Sequence, residues 1–280
     1  MTQLESYELN QIYCGDFLDI MPKLPTGSID LIVTSPPYPG QKGDTRTVDE
    51  WLQWFVLVAG EMARVLKNNG TAVINVAFKR HDNGFADERL YTNFVPMMVK
   101  ASFSLLDIYP FIKANPAPNG ANGNSVYADI PSWEPCFVFS KANTAREVYF
   151  EPVRRPYKPK TFTSKGRMKS GAAGHDNIHP EGARQGNYLI VSTSGTSRSG
   201  MPRAKGQSFP PQVPQRFILQ YTKPGDIVLD PFAGVGTTCK EAQKNGRNYI
   251  GIELLLDEVQ KAQEWLNRPL QTQIVEFARF

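Results

Sequence analysis

The hydrophobic positions of this 280-residue chain follow two periods. Short apolar runs of strand type recur as "QIYCGDF" from Gln11, "SIDLIVT" from Ser28, "TAVINVAF" from Thr71 and "SLLDIYPFIKA" from Ser104. Three more are "EPCFVFSKA" from Glu134, "DIVLD" from Asp226 and "NYIGIE" from Asn248. Runs of this length, rich in β-branched residues, predict buried strands. Between them the apolar spacing changes to three and four. "VDEWLQWFVLVAGEMARVLKNNG", from Val48 to Gly70, predicts the best helix, with an acidic start, a basic last turn and a terminal glycine. "DERLYTNFVPMMVKASF" predicts a second, kinked at Pro96, and "LDIMPKLP" a short helical stretch stopped by prolines. The block from Phe209 to Leu255 reads as helix, strand, glycine loop, helix, strand. Strands alternating with helices predict an α/β fold around a parallel sheet.

The periodicity lapses over 152–208, where the sequence is polar apart from one short apolar run, "YLIV". The expected organisation is one domain made of 1–151 and 209–280, interrupted by a loop-rich insertion. No internal repeat is present.

Charge sharpens this division. The net charge is +4, but the stretch from Pro152 to Gly225 holds thirteen Lys or Arg against two acids, Asp176 and Glu181. That stretch carries about +11 and the remainder about −7. It reads either as a solvated basic loop or as a polyanion-binding surface, since Lys and Arg release counterions from phosphates. No apolar run has membrane-spanning length, and the polar start "MTQLESYELNQ" is not a secretory signal. Cys14, Cys136 and Cys239 show neither metal-ligand spacing nor a disulfide framework, which fits a reducing cytoplasm. His175 and His179 sit among glycines and Pro180 and read as loop residues, so no metal is expected.

Two stretches carry candidate chemistry. In "IDLIVTSPPY" a core strand runs into a loop whose two prolines fix φ twice and remove two backbone donors. The loop holds the Ser35 hydroxyl and the Tyr38 ring at the strand end; taken alone, it reads as a proline-terminated strand with Tyr38 as a lid. In "DPFAGVGTT", from Asp230 to Thr238, glycines between a strand and a helix let the backbone approach a ligand, and the helix start favours an anionic group. The two threonines are expected to cap that helix. The next strand ends in Glu253, where nucleotide-binding α/β folds hold ribose hydroxyls. The loop lacks the third glycine of the dinucleotide fingerprint, and there is no Gly-Lys-Ser/Thr for a nucleoside triphosphate.

Together, "TSPPY", "DPFAGVGTT" and "YIGIEL" resemble the amino-methylating DNA methyltransferases that use S-adenosylmethionine. The Ser-Pro-Pro-Tyr motif precedes the cofactor loop with an insertion between them, an order similar to the β group of that family. The resemblance runs from about Gln11 to Trp265 apart from the insertion. It implies a circularly permuted, seven-stranded, doubly wound (Rossmann-like) sheet. The strand ending at Glu253 would lie beside the one ending at Asp16, and the cofactor-loop strand beside "DLIVTS". It implies catalysis by Ser35, Pro36, Pro37 and Tyr38. Ser35 Oγ and the Pro36 carbonyl would accept the two amino hydrogens of a flipped base, and Tyr38 would stack on it. The prolines would hold these groups rigidly for direct transfer. Asp230 would face the methionine amino group, with Phe232, Ala233, Gly234, Gly236 and Thr237 around the methionine part. Glu253 would take the ribose, Asp16 the adenine amino group. Phe209 and Pro210 would wall the methionine moiety, although many relatives have His-Pro there. Asp16 reads equally as a helix cap, and Phe209 as core packing.

Serine at the head of the motif implies cytosine-N4, with adenine-N6 as the alternative and a non-catalytic DNA-binding protein as the remoter one. Carbon-5 methylation would need a thiolate such as Cys136 in "EPCFVF", which reads better as a core thiol. Protein-amide methylation fails on motif order. Double-stranded DNA is the expected partner, met by Arg154, Arg155, Lys158, Lys160, Lys165, Arg167 and Lys169 and by Arg198, Arg203 and Lys205. The expected setting is a prokaryotic cytoplasm, as a monomer or homodimer, with a restriction endonuclease as a candidate companion.

Overall fold

A computed structural model describes residues 3–4, 7–39, 44–76, 88–114, 133–141, 147–149, 153, 185–191, 201–202, 208 and 210–269. A two-stranded hairpin of β1 (Gln3–Leu4) and β2 (Tyr7–Glu8) leads into the main sheet. That sheet holds β3 (Gln11–Cys14), β4 (Ile29–Thr34), β5 (Leu66–Asn75), β6 (Phe103–Lys113), β7 (Trp133–Lys141), β8 (Leu189–Val191), β9 (Ile227–Asp230) and β10 (Asn248–Glu253). The spatial order is β3-β10-β9-β4-β5-β7-β6-β8. The first five are mutually parallel, and β7 alone runs against its neighbours.

All seven expected strands are present, with the expected neighbours. β10 lies beside β3 and β9 beside β4. The chain thus enters at an outer strand, crosses to the middle, and fills the gap with its C-terminal part, as a permuted order requires. The strand order reverses between β9 and β4, and the crevice outside the carboxyl ends at such a point is where doubly wound sheets bind ligands. The eighth strand comes from the "YLIV" run, within the expected insertion, and pairs parallel to β6. The basic segments on either side of it lie outside the described residues.

Strand alternation explains why both faces are covered. In β4 every residue is buried, with Ile32 packed on one side and Leu31 and Val33 on the other. The first side takes α1 (Phe17–Ile20), α2 (Val48–Val65) and α3 (Glu88–Lys100) through Phe17, Trp51, Phe55, Met62 and Phe94. The second takes α4 (Gln212–Tyr221), α5 (Thr237–Lys244) and α6 (Leu256–Leu266) through Phe217, Ala242 and Val259. Helix α2 opens with a capping box. The Glu50 N–H donates to Thr47 Oγ1, and Glu50 Oε2 accepts from the Thr47 N–H.

Three local expectations are corrected. Helix α2 stops at Val65, not Gly70, because Leu66 is wholly buried as the first residue of β5. Gly70 lies within that strand, where a Cβ would fall 2.7 Å from Leu66 Cδ2 and 2.9 Å from the Lys67 carbonyl oxygen. Neither threonine caps α5. Gly236 stands at that position with φ +80°, and Thr238 Oγ1 donates to the Val33 carbonyl instead (3.2 Å). Strand β3 ends at Cys14, and the Asp16 side chain takes the Leu18 N–H as the cap of α1 (2.8 Å).

Candidate active site at the carboxyl ends of the strands

The two motifs meet although 196 residues separate them. Thr34, the last residue of β4, donates through Oγ1 to Asp230 Oδ1 at the end of β9 (2.6 Å). The same oxygen accepts the Phe232 N–H at 3.1 Å, so one carboxylate atom ties the loop after β9 to the start of the Ser-Pro-Pro-Tyr loop. Asp230 is only 3% exposed. Burial pushes its carboxyl up to about 6, against the pull of hydrogen bonds from the Thr34 hydroxyl and the Phe232 N–H, and the Glu253 charge adds to the rise.

The loop after β9 is held from the other side by β10. The Ala233 N–H donates to the Ile252 carbonyl (2.8 Å). The Gly234 N–H donates to Glu253 Oε2 (2.9 Å), while Glu253 Oε1 accepts from the Leu255 N–H (2.9 Å). At Gly236 the backbone needs a left-handed φ, and a Cβ would also lie 3.0 Å from Ile12 Cδ1 and 3.2 Å from Ala262 Cβ. Thr237, in the first turn of α5, is 3% exposed, and its hydroxyl has no hydrogen-bond partner among the described residues. An orphaned buried hydroxyl beside free helix-start N–H groups suits an anionic ligand group.

The Ser-Pro-Pro-Tyr loop is fixed residue by residue. Pro36 is buried, and no described residue donates to its carbonyl. The Pro37 carbonyl accepts Trp51 Nε1–H from α2 (2.6 Å). Ser35 Oγ lies 2.7 Å from the Tyr38 hydroxyl, which donates toward the Asn75 carbonyl (3.0 Å) and Asn75 Oδ1 (3.2 Å) at the end of β5. The half-buried Tyr38 ring packs on the core below. Phe232 leans edge-on against Phe17 (5.4 Å) and lies tilted against Trp54 of α2 (5.5 Å), and the Arg46 guanidinium covers the Trp54 ring at 3.7 Å.

The structure therefore brings together Ser35, Pro36, Pro37, Tyr38, Asp230, Phe232, Ala233, Gly234, Gly236, Thr237 and Glu253. Asp16 lies one strand away, where Gly15 N–H meets the Glu253 carbonyl (3.0 Å), but one of its oxygens is engaged as a helix cap. Pro210 is buried at the entry to α4, its carbonyl taken by the Val213 N–H. Phe209 lies outside the described residues, as do all ten basic residues expected to meet DNA, and His175 and His179. The sequence reading missed Thr34, Asn75 and Trp54. The first two were detectable as polar residues closing apolar strands; Trp54 had no signal apart from its helical spacing. Cys136 is wholly buried in β7, and burial together with the Glu134 charge pushes its thiol far above the ordinary range. It cannot serve as a thiolate nucleophile.

Known proteins place this arrangement. The profile of the N6/N4 methyltransferase family, described as DNA methylase, matches residues 29–264. The Type II methyltransferase M.BglII of Bacillus subtilis is 30% identical over 262 residues, covering 92% of this chain and 69% of that protein. The solved structure of PvuII DNA methyltransferase (cytosine-N4-specific) superposes with a TM-score of 0.70 at 20% identity, over 94% of this chain and 87% of that one. The M1.HpyAVI–SAM complex superposes with a TM-score of 0.57 at 23% identity, over 92% of this chain and 99% of that one. The matched span contains both motifs and the strands that carry them, and so the chain belongs to the N6/N4 DNA methylase family and is a DNA methyltransferase.

Proposed function

We propose that this protein transfers the methyl group of S-adenosylmethionine to the N4 amino group of a cytosine flipped out of double-stranded DNA, as the modification enzyme of a restriction–modification system. The observation that carries this reading is a serine, not a carboxylate, at the head of the loop, one residue from the Thr34 hydroxyl that bonds Asp230. The PvuII relative, cytosine-N4-specific by its description, supports the choice of base, and M.BglII, a Type II methyltransferase, the biological setting.

The residues present fit the cofactor. Thr237 and the start of α5 suit its carboxylate, and Asp230 its ammonium group. Glu253 retains lone pairs for ribose hydroxyls beside its two backbone donors. Leu254, 62% exposed next to Glu253, offers apolar surface for the base of the nucleoside. Asp16 keeps acceptor capacity for an amino group at the same edge. When bound, the cofactor supplies an electrophilic methyl on a sulfonium.

The chain's own work is orientation. A base amino group is a poor nucleophile because its lone pair is delocalised into the ring. Ser35 Oγ and the Pro36 carbonyl accept its two hydrogens and turn the lone pair out of conjugation. The Trp51 bond to the Pro37 carbonyl and the two fixed proline φ angles keep these acceptors in place. Tyr38 presents its ring to the flipped base, offsetting the few kcal/mol that extrusion costs. The basic segments within 152–208 meet DNA phosphates. The test is to incubate the protein with isotope-labelled S-adenosylmethionine and unmethylated DNA of mixed sequence, digest to nucleosides, and identify the labelled base by mass spectrometry. N4-methylcytosine is the expected product. N6-methyladenine would overturn the choice of base while keeping the mechanism. No labelled base despite cofactor binding would favour the non-catalytic reading.

A further inference from the structure

We infer that Asn75 and Tyr38 act as a proton-ordering relay that makes the Ser35 hydroxyl a pure hydrogen-bond acceptor toward the target amino group, with Asn75 as a positioning residue. The inference rests on the reading of Ser35 as the acceptor and adds the device that lets a neutral hydroxyl do this work.

The hydrogens available to the three residues fix the polarity of the chain of bonds. Asn75 is 3% exposed and closes β5. Its amide nitrogen donates to the Pro135 carbonyl of β7 (3.1 Å). That fixes the amide so that Oδ1, not Nδ2, faces Tyr38. The Asn75 backbone carbonyl faces the same hydroxyl. Both groups can only accept, so the single Tyr38 hydroxyl hydrogen is directed to Asn75. The Ser35–Tyr38 contact at 2.7 Å then has one consistent polarity, in which Ser35 donates and Tyr38 accepts. With its only hydrogen so engaged, Ser35 Oγ can offer nothing but lone pairs to a base.

This matters because an unordered serine is ambiguous. A hydroxyl free to rotate would spend part of its time pointing its hydrogen at the amino group, repelling the hydrogens it should accept. A carboxylate avoids the problem by having no hydrogen. Here the fold removes it through two residues on different strands. The chain of bonds also polarises the Ser35 oxygen, since each donor in a connected network becomes a better acceptor. The Tyr38 hydroxyl therefore has a task separate from that of its ring.

The test separates hydroxyl from ring. Tyr38→Phe keeps the stacking surface and removes the relay. Turnover would be measured with labelled S-adenosylmethionine on unmethylated genomic DNA amplified in vitro, alongside cofactor affinity and the KM for that DNA. The expected result is a kcat lower by about tenfold, the loss of one oriented hydrogen bond, with KM and cofactor affinity unchanged. In a Ser35→Ala background, Tyr38→Phe should cost nothing further, because the relay then has no end group. Wild-type kcat in Tyr38→Phe would overturn the relay, as would a changed KM, or independent effects of the two substitutions. Should Tyr38→Phe fail to fold, 3-fluorotyrosine at position 38 serves instead. Its weaker acceptor oxygen should lower kcat, and an unchanged kcat would refute the relay. If the unaltered protein labels no base, the proposed function fails first and the relay with it.

Discussion

Replacing Asp230 with asparagine should make the cofactor-free protein more stable and the enzyme worse. The Asp230 carboxyl is raised to about 6 in the folded protein, from the ordinary 3.8. A raised acid binds its proton more tightly folded than unfolded. Its presence is therefore neutral to stability below pH 3.8, and its cost grows as pH rises toward 6 and is complete above that. The shift of roughly two units corresponds to about 3 kcal/mol at neutral pH. Asparagine is nearly isosteric. Its oxygen keeps the bonds from Thr34 Oγ1 and the Phe232 N–H, and its amide nitrogen meets the Thr238 hydroxyl, which can accept. For a chain of 280 residues the gain amounts to about 5 °C in Tm at pH 8, fading to nothing near pH 4. The assay is paired thermal melts of both proteins across that range without cofactor. S-adenosylmethionine affinity, by calorimetry, should fall about ten- to a hundredfold in the variant at pH 8, because a charged partner for the ammonium group is lost. In the unaltered protein that affinity should itself drop about tenfold per pH unit below 6. A variant no more stable than wild type at pH 8, or one whose gain is the same at pH 4, would refute the burial argument.

Thr237→Val removes a buried hydroxyl that has no partner among the described residues, so cofactor-free stability should rise by about 1 kcal/mol while cofactor affinity falls; melts and titration calorimetry read the two effects. Glu253→Gln leaves one of the two N–H groups, Gly234 or Leu255, facing an amide donor, and should weaken cofactor binding at least about tenfold by calorimetry. Replacing Arg154 and Arg155 together with alanine should weaken DNA binding across sequences and flatten the salt dependence of log K by about 2, read by fluorescence anisotropy at several salt concentrations.

Much of this was legible in the chain because the informative features are local. The run Ile29–Thr34 is mostly apolar and bounded by turn residues, which marks a buried strand, and the prolines after it end it. The glycines of "DPFAGVG" and the acid closing the next strand announce a ligand loop by their spacing alone. Where the reading slipped, a tertiary contact outweighed a local preference. Gly70 looked like a helix terminus, but Leu66 is worth more as a buried strand residue against β4 than as one more helical turn. The Thr238 hydroxyl, a good cap by type, is drawn across to the Val33 carbonyl. The "YLIV" run looked like loop because three paired residues carry too little periodicity to announce a strand.

The sequence by itself determined seven strands of the main sheet, the helices from α1 to α5, the order of the two motifs and the chemical kinds of group in the site. Those follow from side-chain type and from spacing over a few residues. Only the tertiary structure decided that Thr34 reaches Asp230 across 196 residues, that Glu253 folds back onto Gly234, and that Asn75 takes the Tyr38 hydroxyl hydrogen. The reason is physical. Strand pairing sets which carboxyl ends are neighbours, and pairing between distant segments is governed by burial summed over the whole sheet. The raised pKa of the Asp230 carboxyl is a consequence of that burial, and no window of the sequence contains it.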